Sequence, residues 1–401
     1  PAGRVIHTGD FKLDGAPLVG EAFDPVLWQS VAKKGVLALV CDSTNIFSPK
    51  PGRSESTLIA PITELVKSAK GLVVATTFAS NVARLKTLAQ AGVDAGRTIL
   101  VLGRAMQRMI AVAQATGVLT DFPPTVSLDE SDEVPRGNLM ILVTGSQGER
   151  RAGSAQMANG KYNGITLREG DMFLFSSKTI PGNEVPVARI VNKYSEMGVD
   201  VVDDHDGLYH VSGHANRPDL EAMHDLMKPQ FLIPMHGEHR HLREHAKAAQ
   251  AKGIKAIVAP NGTMVSLSGN MPEIVEYVET GRAYLDGKVV IGAMDGVVRD
   301  RIRMALNGHV IVGIIIDEDD EPMGGVWVET KGLPDPAGAE HSLAVLIEEG
   351  IEYQLGRAKP KVILSDDALE ELITRAVRQI SNEVIGKKPE VQVMINRLVA
   401  G

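Results

Sequence analysis

Short apolar runs alternate with helix-length stretches along most of this chain, and that alternation limits the possible folds more than any other feature. RVIH and VLALVC flank a helix-like stretch at residues 25–34. Beyond them come a helix-like stretch at 56–69, LVVATTF, helices at 80–91 and 104–116 separated by TILVLG, and an acidic linker at 129–133. LMILVTG, DMFLFSS, a helix at 184–197 and VDVV follow. Strands alternating with helices predict a mostly parallel sheet covered on both faces, so the chain reads as α/β with a second α/β block over 54–211.

The ends of the strand-like runs carry the chemistry. VIHTGD stops at Asp10 and LALVCD stops at Asp42. Open α/β sheets place reactive groups at the carboxyl ends of their strands. Asp is also a favoured turn and cap residue, and both readings stand for each acid. Three further strands end in small polar loops, TTFASN, VTGSQGE and FSSKTIPGNE, with Arg84 and Arg150 near them. Such loops let backbone N–H groups approach a phosphate, although Gly/Ser turns also join strands to helices without any ligand.

Three of the 11 histidines, His210, His214 and His236, sit at the ends of apolar runs. YHVSGH closes a strand and leads to a helix with Pro218 in its first turn, which puts His214 just before a positive helix end. FLIPMH delivers His236 into a loop with Gly237 and Glu238. HRHLREH, with His239, His241 and His245, lies in a charged helical stretch and is predicted to be a solvated amphipathic face rather than a metal motif. His7 reads as a strand residue, and His205, His224, His309 and His341 have no supporting context.

A length of 401 residues with 44% hydrophobic and 23% charged content suits two or three domains with ordinary cores. The net charge of −8 gives no whole-molecule basic field, so a polyanion would have to be held locally. One cysteine, Cys41, excludes an intrachain disulfide and a cysteine-based zinc site, suits a reducing cytoplasm, and reads as a buried small hydrophobe. No apolar run is long enough to cross a membrane, and the first residues carry no signal pattern. Residues 255–267 predict a hairpin turning at Asn261 and Gly262, and 281–303 a connector. Two strands, two helices at 339–354 and 367–385, and a closing strand VQVMINRLV predict a small α+β domain for packing or oligomerisation. The acidic run at 317–321 reads as a solvated turn.

HTGDFK, CDSTN, TTFASN, TGSQGE, SSKTIPGNE, HVSGHA and PMHGE, in this order, resemble the ribonuclease J family, the RNA-processing branch of the metallo-β-lactamase enzymes that carries a β-CASP insertion. The resemblance covers essentially the whole chain. It implies a partial metallo-β-lactamase αββα domain at 1–53 and 212–292, an inserted β-CASP α/β domain at 54–211, a linker at 293–306, and an α+β oligomerisation domain at 307–401.

It also implies roles. Asp10 would bridge two zinc ions and His236 would be a terminal zinc ligand. Asp42 would be the first β-CASP acid, orienting the metal site, and His214 would contact the scissile phosphate and serve as an acid. Ser80, Asn81, Ser146, Gln147, Ser212 and Gly213 would hold phosphate and the 5′ nucleotide, with His210 lining the same cleft. The substrate implied is single-stranded RNA with a 5′ monophosphate, cut from that end and also internally by a metal-activated water, and a homodimer or homotetramer is expected.

The family's HxHxDH motif occurs nowhere in this chain. Asp10 and His236 alone do not hold two zinc ions. The chain is therefore expected to be a shortened form lacking the first half of the lactamase domain, binding little metal and cleaving weakly by itself. A non-catalytic RNA-binding scaffold, or a metallohydrolase for another phosphodiester such as DNA, are the rival expectations.

Overall fold

The computed structural model describes every residue except 1, 2, 161, 204, 206, 294 and 399–401. It divides into two compact units at Val278/Glu279. In the first unit, β1 (Val5–His7) and β2 (Ala38–Asp42) lie side by side and parallel, joined through the helix Pro25–Ala32. The chain then departs into a separate sheet before it returns. That sheet is built from β3 (Val73–Thr76), β4 (Thr98–Leu102), β5 (Leu139–Val143), β6 (Met172–Phe175) and β7 (Asp200–Val202), in the spatial order β4-β5-β3-β6-β7 and parallel throughout.

Alternation within its strands explains why it needs cover on both sides. Val73 and Ala75 join one apolar cluster with Met140 and Leu142, while Val74 joins the other with Ile141 and Val143. Successive strand side chains point to opposite faces, so an unbroken apolar strand requires two packed layers. Each such Val or Leu contributes on the order of 1.5–3 kcal/mol by leaving water.

β8 (Phe231–Met235) brings the chain back to pair with β2, Asp42 opposite Met235, and β9 (Lys255–Ala256) completes the first sheet in the order β1-β2-β8-β9. The helices Arg217–Met227 and His239–Ala251 precede and follow β8. Leu39, Ile46, Leu220, Met223 and Leu232 form the core under this sheet.

Residues 255–267 do not form the predicted hairpin. β9 instead extends the parallel sheet, and β10 (Thr263–Ser266) pairs with the later β11 (Glu273–Tyr277). The hydrogen-bonding capacity of β9 is taken by β8, a long-range pairing that local turn signals do not encode. The acidic stretch at 129–133 is not a bare linker either: Ser127 and Glu130 form a capping box that starts a helical turn at Leu128–Ser131.

In the second unit, residues read as a connector form an antiparallel pair, β12 (Ala283–Asp286) and β13 (Val289–Gly292), followed by the helix Val297–Asn307. β14 (His309–Ile316) lies between β15 (Pro322–Lys331), which is antiparallel to it, and β16 (Glu390–Arg397), which is parallel. Val310, Val312, Ile314 and Ile316 turn to one face and pack with Ile347 and Ile351 of the helix Leu343–Leu355 and with Ile373 and Val377 of the helix Asp366–Ile385. The acidic run is a turn in which Asp317 Oδ1 accepts hydrogen bonds from the backbone N–H groups of Asp319 and Glu321.

Candidate active site

Parallel pairing of β1, β2 and β8 puts three strand ends at one edge, and each contributes a group just where its strand stops. Asp42 is the last residue of β2, His236 follows β8, and Asp10 follows β1. His214 arrives from the segment that re-enters the sheet ahead of the helix Arg217–Met227. Donor atoms of Asp10, Asp42, His214 and His236 all lie within 4.8 Å of one another.

Asp42 is the fixed point of this group. Its carboxylate is almost wholly buried. Oδ2 accepts from His214 Nδ1 at 2.7 Å, and Oδ1 accepts from the Thr44 amide at 2.9 Å and the Thr44 hydroxyl at 2.7 Å. Burial pushes the carboxyl's pKa up, but the bonds from His214 and Thr44 outweigh it and hold Asp42 below its ordinary value. The same bond raises His214 above the ordinary imidazole range, against the opposing effect of its partial burial. Each partner thus favours the charged form of the other.

His236 Nδ1 stands 3.0 Å from Asp10 Oδ1 and 3.5 Å from Asp42 Oδ1. Its backbone is in the left-handed region at φ 55°, rare for a residue with a side chain, and such strain gathers at functional sites. Gly237 then passes so close to the next helix that a Cβ on it would meet His241 Cβ at 2.9 Å. The Thr44 hydroxyl is 3.1 Å from the His236 carbonyl, which ties the β2 end to the β8 end. Asn45 does the same for the re-entrant segment, its Nδ2 lying within hydrogen-bond range of Ser212 Oγ, the His214 carbonyl and Asn216 Oδ1. Thr44 and Asn45 were not singled out from sequence, although both belong to the DSTN stretch that follows β2.

The residues expected to hold phosphate divide. Asp10, Asn81, Ser212 and Gly213 line one cleft, together with Lys12. The Asn81 side chain is engaged in capping its own helix through the Arg84 amide, and Ser80 is exposed beside it. Ser146 is buried, and Gln147 uses its amide to clamp the loop at Lys178, Ile180 and Asn183. His210 is half-buried, 3.0 Å from an Arg84 nitrogen, and is driven down to about 3 by desolvation and by the Arg84 charge. Arg84, expected near phosphate, is fully enclosed and ion-paired with Glu55 instead. Arg150 is exposed.

The helix carrying His239, His241 and His245 departs from the expected solvated face. His245 is fully buried and meets His224, also buried, Nε2 to Nε2 at 3.0 Å. The charged, amphipathic pattern of this stretch concealed that His245 lies on its inward side with Leu242 and Ala249.

Two carboxylates and two imidazoles, without a thiol, are an oxygen and nitrogen donor set that suits a zinc-class ion, and their count fits one such ion's shell. Only two of them, Asp10 and His236, were expected as ligands.

Residues 70–194 match the family model for the ribonuclease J beta-CASP domain, 296–398 that for the ribonuclease J C-terminal domain, and 206–260 that for a Zn-dependent metallo-hydrolase RNA specificity domain. The chain is similar to a ribonuclease J of Sinorhizobium meliloti, 36% identical over 99% of this chain and 70% of the relative. It is 30% identical to one of Mycolicibacterium smegmatis over 98% of this chain and 70% of that protein. A third relative, from Corynebacterium glutamicum, is 34% identical, with 84% of this chain matching 48% of it. A metal cofactor is consistent with the matched metallo-hydrolase domain and with the four-donor group. Among the described residues no helix is long and apolar enough to cross a membrane.

Proposed function

This chain belongs to the ribonuclease J family, with the metallo-β-lactamase/β-CASP fold, and from that premise we propose that it hydrolyses single-stranded RNA at the Asp10, Asp42, His214 and His236 group, beginning at a 5′ monophosphate and also cutting internally. The observation that carries this is the His214 and Asp42 pair set beside a second imidazole and a second carboxylate.

Zinc is the proposed ion, with Asp10 and His236 among its ligands. An ion held there would supply an acidified water and positive charge against the phosphate. The chain's own residues do the rest. Asp42, anchored by Thr44, keeps the Nδ1 proton of His214 in place, so that Nε2 of the imidazolium is free to donate to the departing 3′ oxygen. Lys12, Ser212 and the Gly213 backbone line the cleft next to Asp10 and are the proposed hold on the nucleotide's phosphate. Homo-oligomerisation through residues 307–401 and a cytoplasmic setting belong to the same proposal.

Matched RNA and DNA oligomers bearing 5′ monophosphate, 5′ triphosphate or 5′ hydroxyl ends test it. Cleavage of RNA alone, fastest from the monophosphate and abolished by a chelator, is the expected result. Equal cleavage of DNA, or indifference to the 5′ end, would overturn the corresponding part.

A further inference from the structure

On the opposite side of β2 from Asp42 lies a second cluster of metal-ligating side chains, with a different chemistry. Strand alternation sends Cys41 to the face away from Asp42. There it meets His224 from the helix Arg217–Met227 and His245 from the helix His239–Ala251. All three are at or below 1% exposure. One donor atom from each lies within 4.8 Å of the others. His245 Nδ1 stands 2.9 Å from Ser43 Oγ.

Hydrogen bonding alone leaves this cluster unbalanced. Two imidazoles facing through Nε2 need one ring to donate and the other to accept. Whichever donates, His224 Nδ1 has no partner among the described residues and is wholly buried. A buried orphan of that kind is destabilising, because the group has given up water for nothing. Burial holds both rings neutral, driving His224 down to about 4 and His245 to about 3, so each presents an uncharged nitrogen. The surroundings are apolar, Leu39, Leu220, Met223 and Leu232 among them, and three aliphatic side chains would fill such a core at no polar cost.

We propose that Cys41, His224 and His245 bind a zinc-class transition-metal ion through one thiolate and two imidazoles, at a site separate from the Asp10 and His236 group. Two nitrogens at about 2.05 Å in a tetrahedral zinc shell stand roughly 3.3 Å apart. The observed separation is 3.0 Å. The thiol proton passes to solvent as the sulfur to metal bond forms. His224 also lies among the residues lining a cleft with Asp225, Lys228 and Lys252. A single cysteine in the sequence argued against a cysteine-based zinc site; one thiol joined by two imidazoles from separate helices is a combination no local spacing reveals. The bound ion pins both helices to β2.

Cobalt(II) added to the metal-free full chain tests this by absorption. Cys41 is the only cysteine, and the other donor group has only oxygen and nitrogen, so a thiolate-to-cobalt charge-transfer band in the near ultraviolet reports this site alone. The expected band saturates, is displaced by zinc, disappears in Cys41→Ser, and requires roughly tenfold or more cobalt in His224→Gln or His245→Gln. It persists in Asp10→Asn. Absence of the band from folded wild-type chain at saturating cobalt overturns the proposal, as does a band unaltered by both histidine substitutions. Neither readout depends on nuclease activity, so failure here leaves the reading of the other site untouched.

Discussion

His214 Nδ1 and Asp42 Oδ2 are 2.7 Å apart, although 172 positions separate the two residues in the chain. This bond sets the protonation state of the acid proposed to serve the leaving group. Asp42→Asn keeps the shape but removes the charge that raises His214. Turnover on 5′-monophosphorylated RNA should fall by roughly 10²–10⁴-fold. The limb of the pH profile on which activity is lost as His214 deprotonates should move to lower pH. An unmoved limb would remove His214 from the acid role.

Thr44→Val preserves volume while deleting the hydroxyl that donates to Asp42 and reaches the His236 carbonyl. Losing the support of a ligand set typically costs roughly 10–100-fold in metal affinity. Calorimetric titration of the metal-free Cys41→Ser chain with zinc should show that loss in the oxygen and nitrogen site, with the fold intact by circular dichroism.

Acid should destabilise the first unit well before its carboxylates titrate. His210, His224 and His245 have folded pKa values of about 3, about 4 and about 3, all below the ordinary 6.5. Below pH 6.5 the unfolded chain therefore binds protons that the folded chain refuses, and stability drops as pH falls towards 4. The slope is roughly 1.4 kcal/mol per pH unit for each histidine fully titrated in the unfolded state. Denaturant unfolding followed by Trp28 fluorescence in a Trp327→Phe background reads the first unit. A flat stability between pH 6.5 and 4.5 would contradict the burial assigned to these rings.

Arg84→Met leaves Glu55 buried without its partner, where it otherwise receives Arg84 Nη2 at 3.0 Å. Breaking a buried pair from one side costs about 3–5 kcal/mol. Replacing both, as Glu55→Leu with Arg84→Met, should recover much of that loss in the same unfolding assay. A double variant no better than the single one would mean that the lost bonds to Ser176 and Val211 dominate.

The parts of the fold written in local pattern were legible in the sequence. Unbroken apolar strands such as LMILV declared a sheet covered on both faces, and acids or histidines at strand ends marked the edge where chemistry collects. What escaped was set by distant partners. β9 is a strand because β8 offers it an edge, not because of the Asn261-Gly262 turn that follows. Arg84 looks like a phosphate ligand until Glu55 closes over it, and His245 looks solvated until His224 arrives from another helix. Asn81 and Gln147 read as phosphate-binding residues, and in the structure their side chains bond to backbone groups of neighbouring loop and helix-start residues.

The pairing of Asp42 with Met235 also dictates a schedule. Between these neighbours the chain makes the entire five-stranded sheet, so during synthesis β2 keeps the edge that β8 will take unpaired until β8 has emerged. Closing so long a connection is entropically slow unless the intervening segment is already compact. Substitutions deep in the inserted sheet, remote from every reacting atom, should therefore register as a loss of yield of active molecules, with each molecule that does mature cutting at the normal rate.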